Sequence, residues 1–165
     1  MGERLDIIRK VIDEHVRLTG GIKLVGESVS DLEAYFSLQK AGAELISGRP
    51  ESLAEKQERL RKTFSYLNEG LRNHFAFEEK NLPPLMGELL MQALKQEHDA
   101  LLAQLEEAQR NVEGIDAAEP DRSAQLAARF QMRQAVERLL QSVDEHAARE
   151  ETVLNMIRSA LEARD

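Results

Sequence analysis

Apolar residues recur every three or four positions along almost the whole chain, and three short stretches break that rhythm. A chain patterned in this way buries itself helix against helix. The breaks are Gly48, Arg49 and Pro50, then Pro83 and Pro84, then the run from Gly114 to Pro120. Ser52 and Glu55 follow the first break with the spacing of a capping box, and Asp121 or Ser123 is placed to cap the segment after the third. Four helices are therefore predicted, about Arg4–Ser47, Leu53–Asn81, Leu85–Glu113 and Arg122–Arg164. Gly20 and Gly21 weaken the first, and Ser30 to Glu33 repeats the capping spacing, so a kink or restart is expected near Ser28 to Ser30. Long helices with short connections imply an all-α, up-down-up-down four-helix bundle, with residues 1–165 forming a single domain.

Polar groups interrupt the apolar seams at matching places. The second helix reads Leu60, Phe64, Leu67, Leu71, His74, Glu78, Leu82, and the fourth reads Val136, Leu139 or Leu140, Val143, His146, Glu150, Val153, Ile157, Leu161. On the first, His15 lies between Val11 and Leu18; on the third, His98 lies between Leu94 and Leu101, with Leu90 a turn earlier. All four histidines of the chain thus face inward. If roughly 40% of helix positions face a core, four independent histidines do so together about 3% of the time. Their heights agree as well, because early residues of helices one and three share an end of an up-down bundle with late residues of helices two and four. Two unpaired carboxylates at that depth would each cost several kcal/mol unless paired or bound to a metal.

The absence of cysteine removes thiolate sites, Fe–S clusters and disulfides, which leaves imidazole and carboxylate donors suited to Fe, Mn or Zn. The two H-x-x-x-E pairs each put both side chains on one helix face, and the halves of the chain repeat the order His, then His-x-x-x-Glu. Such a two-fold set fits two metals bridged by two carboxylates better than one. Ferritin-like bundles use Glu-x-x-His instead, which no histidine here matches, and neither HExxH, G-x-S-x-G, a P-loop nor a dinucleotide fingerprint occurs.

The flanking carboxylates Glu14, Glu97 and Glu145 precede histidines, and Glu79 and Glu151 follow the inward ones; most are expected on solvated faces, about one in four as an outer partner of the site or an alternate ligand. Tyr66 is read as core packing, and Met86, Met91, Met132 and Met156 as filler. A net charge of -8 offers no basic face to nucleic acid or to an anionic membrane. The N-terminal segment lacks the apolar stretch of a secretory signal and no run is long enough to span a bilayer, so a cytoplasmic protein is expected.

The order H, HxxxE, H, HxxxE, carried by the segments DEHVRL, HFAFEE, QEHDALL and DEHAAREE, resembles the hemerythrin-like, or HHE cation-binding, domain. The resemblance covers the chain from His15 to Glu150. It implies a bundle holding a non-haem di-iron centre, with Glu78 and Glu150 bridging the irons and His15, His74, His98 and His146 as terminal ligands. Oxygen-carrying hemerythrins use a fifth histidine, in an H-x-x-x-H on the third helix, and a His-to-Asp spacing of five on the fourth. Here Leu102 stands four residues after His98, and Glu150 stands four after His146. The chain is thus closer to hemerythrin-like proteins of iron-centre repair, nitric oxide or oxygen response, and iron sensing, although the cysteine-bearing segment of many repair proteins is absent. Three readings follow: chemistry on O2, peroxide or NO at iron, an iron-sensing module without turnover, and a metal-free helical interaction bundle.

Overall fold

The computed structural model describes residues 2–40, 52–115 and 121–163. They form α1 (Gly2–Lys40), α2 (Leu53–Asn81), α3 (Pro83–Glu113) and α4 (Arg122–Glu162), with no strand among the described residues. The sequence break at Gly48 to Pro50, the predicted end of the first helix and residues 116–120 of the third break lie outside them.

The helix starts follow from local chemistry. Ser52 and Glu55 close the full capping box of α2, each side chain accepting a hydrogen bond from the other residue's backbone N–H. Asp121, rather than Ser123, caps α4 by accepting the Ser123 N–H at 2.9 Å. The prolines at the start of α3 bring no N–H where none is needed, and Leu82 alone joins α2 to α3. No restart occurs near Ser28 to Ser30. The Ser30 hydroxyl donates back to the Gly26 carbonyl at 3.0 Å instead of capping a new helix, and Val25, Val29 and Leu32 keep one buried face.

Among the described residues, the one interruption inside a helix is Gly87, whose φ of 76° and ψ of 170° put it in backbone space that glycine alone occupies freely. It offsets the first turn of α3 from the rest. Leu85, Met86 and Met91 pack inward, while Leu90, expected on the buried seam, is exposed. Gly87→Ala is expected to destabilise the protein by about 1–3 kcal/mol. No atom lies within 4 Å of the added methyl, so the cost is backbone strain alone. An unchanged urea midpoint would show that the turn relaxes without penalty.

The helices neighbour one another in the cyclic order α1, α2, α3, α4 and back to α1. Contacts across each seam run antiparallel, as between Gly21 and Leu67, Arg72 and Glu106, Arg138 and Glu107, and Arg133 and Glu33. The bundle is therefore up-down-up-down. Near one end the buried Gln57 amide donates to the carbonyls of Ile115 and Val112 at 2.7 and 3.4 Å, tying the start of α2 to the end of α3. Two apolar cores fill the interior. The larger runs from Leu32, Leu60 and Val112 to Phe75, Leu101 and Val143; the smaller comprises Ile8, Val11, Leu82, Leu94, Leu154 and Leu161. On α4, Leu154 rather than Val153 is the buried residue.

Candidate metal centre

A polar layer separates the two cores. His15 comes from α1, His74 and Glu78 from α2, His98 from α3, and His146 and Glu150 from α4, and each is at most 3% exposed. The seams that carry apolar residues to both sides carry these six to one depth, because the breaks in the sequence set the lengths of antiparallel neighbours.

Within the layer the imidazoles pair across helices. The His15 and His74 rings lie 4.8 Å apart and those of His98 and His146 5.1 Å apart, with Phe75 stacked on His98 at 3.9 Å. Glu78 stands between the pairs. Its Oε1 is 2.6 Å from His74 Nε2 and 3.6 Å from His15 Nε2, while Oε2 is 3.1 Å from His98 Nε2. Glu150 approaches both pairs with a single oxygen and less evenly, its Oε2 lying 3.2 Å from His15 Nε2 and 3.8 Å from His146 Nε2. Two convergent groups result: His15, His74, Glu78 and Glu150 in one, and Glu78, His98 and His146 in the other. Glu78 belongs to both.

The outward nitrogen of every histidine meets a carboxylate. Nδ1 of His15, His74, His98 and His146 lies 3.1, 2.8, 3.0 and 2.8 Å from Glu151, Glu14, Glu79 and Glu97 respectively. Of the five flanking carboxylates only Glu145 keeps the purely surface role expected for most of them, pairing with Gln141 and Arg149. The signal missed was the neighbouring helix: these side chains project across a seam, which periodicity along one helix does not register. Tyr66 is 74% exposed and belongs to neither core nor centre. Leu102, partly buried, packs against the larger core.

Electrostatics ties the layer into one unit. Burial opposes charge on Glu78, but the imidazoles of His15, His74 and His98 outweigh it and hold the carboxyl well below the usual range. Burial likewise resists a proton on His15, yet Glu150 and Glu78 push its pKa up to about 10. His98 is raised against its burial by Glu78 and Glu79. Glu150 moves up because burial, reinforced by the nearby Glu78, exceeds the help from His15. His146 moves down, its burial prevailing over Glu97. Without a metal, the imidazoles facing Glu78, His15 foremost, thus supply the counter-charge of the layer.

That substitution leaves donor atoms over. Nε2 of all four histidines and both oxygens of Glu78 and Glu150 are buried without a hydrogen bond, since even the 2.6 Å approach lacks the required direction. Buried polar atoms are rarely left so, and imidazole nitrogens converging with carboxylate oxygens are what a borderline or hard cation accepts. The donor set therefore fits a metal. Beside it, a cavity of about 10 Å³ is bordered by His15, His74 and His146 together with Leu18, Leu71 and Val143.

Fold and centre together define a cation-binding four-helix bundle. The hemerythrin HHE cation binding domain matches residues 6–157, and the chain belongs to that family. No curated protein and no solved structure matches the chain. Among the described residues, no helix is long and apolar enough to cross a membrane.

Proposed function

We propose that residues 1–165 form one hemerythrin-like domain that holds two iron ions and reacts with or senses O2, peroxide or NO, in the cytosol, as part of a stress response or of iron handling. The observation that carries this reading is the position of Glu78, whose two oxygens face the two histidine pairs separately. One carboxylate shared between two donor groups is what a pair of ions requires. His15, His74 and Glu150 would complete one site, and His98 and His146 the other, with Zn or Mn as substitutes. Iron supplies such a site with electron transfer and with open positions for a small ligand.

The chain's own residues set which ligand can arrive. Apolar cores on both sides of the layer exclude bulk water, and the adjoining cavity has room for roughly one water-sized group. That favours diatomics and peroxide over organic substrates. Leu102 adds no donor on the α3 side, so the group around His98 and His146 keeps fewer protein ligands than its neighbour. Sensing without turnover is the second reading, favoured by the contribution of every helix to one layer, which makes occupancy a lever on the whole bundle.

Elemental analysis after anaerobic iron loading should give about two equivalents per chain. The visible spectrum in air should then change on adding azide or NO. Repeated recovery of folded protein with no bound metal would end both readings and leave a metal-free interaction bundle.

A further inference from the structure

The four outer carboxylates are arranged in order around the bundle. Glu14 of α1 meets His74 of α2, Glu79 of α2 meets His98 of α3, Glu97 of α3 meets His146 of α4, and Glu151 of α4 returns to His15 of α1. We propose that Glu14, Glu79, Glu97 and Glu151 form a closed ring of positioning residues, each helix aiming the metal-facing Nε2 of the histidine on the next. The inference rests on the metal reading above and extends it to residues outside the ligand set.

The ring has one direction because of helix geometry. Adjacent residues on a helix point about 100° apart, so Glu14 and Glu97, each directly before a histidine, cannot serve that histidine and reach across to the following helix instead. Glu79 and Glu151, each directly after an inward glutamate, are turned by the same angle towards their own next neighbour. Two kinds of sequence unit, Glu-His on α1 and α3 and His-x-x-x-Glu-Glu on α2 and α4, thereby supply identical links. Glu145 also precedes a histidine but, on a helix running opposite to α1 and α3, is turned away from α1 and pairs with Gln141 and Arg149 instead.

An Nδ1–H that donates to a carboxylate fixes the tautomer of a neutral imidazole, directs its Nε2 lone pair inward and makes that nitrogen a stronger ligand. The ring carboxylates do this from the edge of the core. They retain partial contact with water, and three have a cation within reach: Lys10 at 3.9 Å from Glu14, Lys95 at 3.9 Å from Glu79, and Arg149 at 3.1 Å from Glu97. Every link crosses a helix seam. The four nitrogens are therefore aimed together only when all four helices are docked.

The test uses the full chain loaded with Zn2+, which is diamagnetic, and follows the histidine side chains by nitrogen-15 NMR. Glu14→Gln should shift the ring signals of His74 and spare those of His15. Glu79→Gln, Glu97→Gln and Glu151→Gln should move His98, His146 and His15 in turn. Zinc affinity, measured by chelator competition, should fall about 10–100-fold in each, the range typical of outer carboxylates. Glu145→Gln should change neither signals nor affinity. Shifts confined to the histidine on the mutated helix, or unchanged affinities with zinc bound, would overturn the ring while leaving the metal centre standing. Folded wild-type protein that takes up no zinc would remove the centre and the ring with it.

Discussion

Glu78→Ala is expected to abolish the second metal equivalent, whereas Glu150→Ala should retain two weakened ones. The difference follows from which atoms each carboxylate presents. Glu78 faces His74 with one oxygen and His98 with the other, so its loss leaves His98 and His146 with no inward carboxylate closer than the Glu150 oxygen 3.8 Å from His146. Losing Glu150 still leaves His15, His74 and Glu78 on one side, and Glu78, His98 and His146 on the other. The affinity of the second equivalent should drop by more than about 100-fold in Glu78→Ala, beyond the loss expected for an outer carboxylate. Glu79→Ala and Glu151→Ala should keep two equivalents, because those side chains contact only outward nitrogens. Removing Glu78 also strips a buried counter-charge from His15, which threatens folding itself. Glu78→Gln keeps the volume and removes the charge, and circular dichroism of that variant separates a folding defect from a ligand defect. Two full equivalents in a folded Glu78→Gln variant would show that the carboxylate does not bridge.

The six inward residues of the layer were readable in the sequence because they replace apolar residues in a helical repeat, and a repeat is a property of one helix at a time. The start of α2 was equally readable, since Ser52 and Glu55 act within one turn. What escaped depends on other physics. The backbone angle of Gly87 is invisible in the residue type alone, and Leu90, a turn before the buried Leu94, falls at the edge of its apolar stripe. Ser30 has two local partners open to it, a cap or the preceding turn, and only the continuous burial of Val25, Val29 and Leu32 selects the second. The outer carboxylates look like surface residues because the histidine that each one meets lies on another helix. The unequal placement of Glu78 and Glu150 is hidden for a related reason: both occupy the same motif position, and side-chain direction alone distinguishes them.

Metal removal should have an effect that grows with pH, and the sign comes from His15. Its pKa of about 10 in the metal-free bundle exceeds the ordinary value of 6.5, so its proton stabilises the fold fully below about 6.5 and progressively less as pH rises through 10. Glu78, held below 4.5, acts in the opposite range: its stabilisation is present above 4.5 and disappears as acid protonates it. The metal-free protein should therefore be most stable between these limits and weaken in alkali. A metal held by His15 would be expected to reverse the alkaline limb, because it would take the place of that proton and no longer need the group charged. Binding at neutral pH must expel the proton, so zinc affinity should rise about tenfold per pH unit between pH 7 and 9 for each proton released. Calorimetry in buffers of different ionisation enthalpy would count those protons directly. At a free zinc concentration about 1,000 times the dissociation constant the fold gains about 4 kcal/mol, which for a chain of this length raises the melting temperature by roughly 8–16 °C. That gap should be small near pH 6, where protons compete, and widest near pH 9, where most of the stabilisation that the His15 proton gives the metal-free bundle over the unfolded chain has been lost. A melting shift that stays constant or shrinks from pH 6 to pH 9 would mean that the metal and the His15 proton do not occupy the same place.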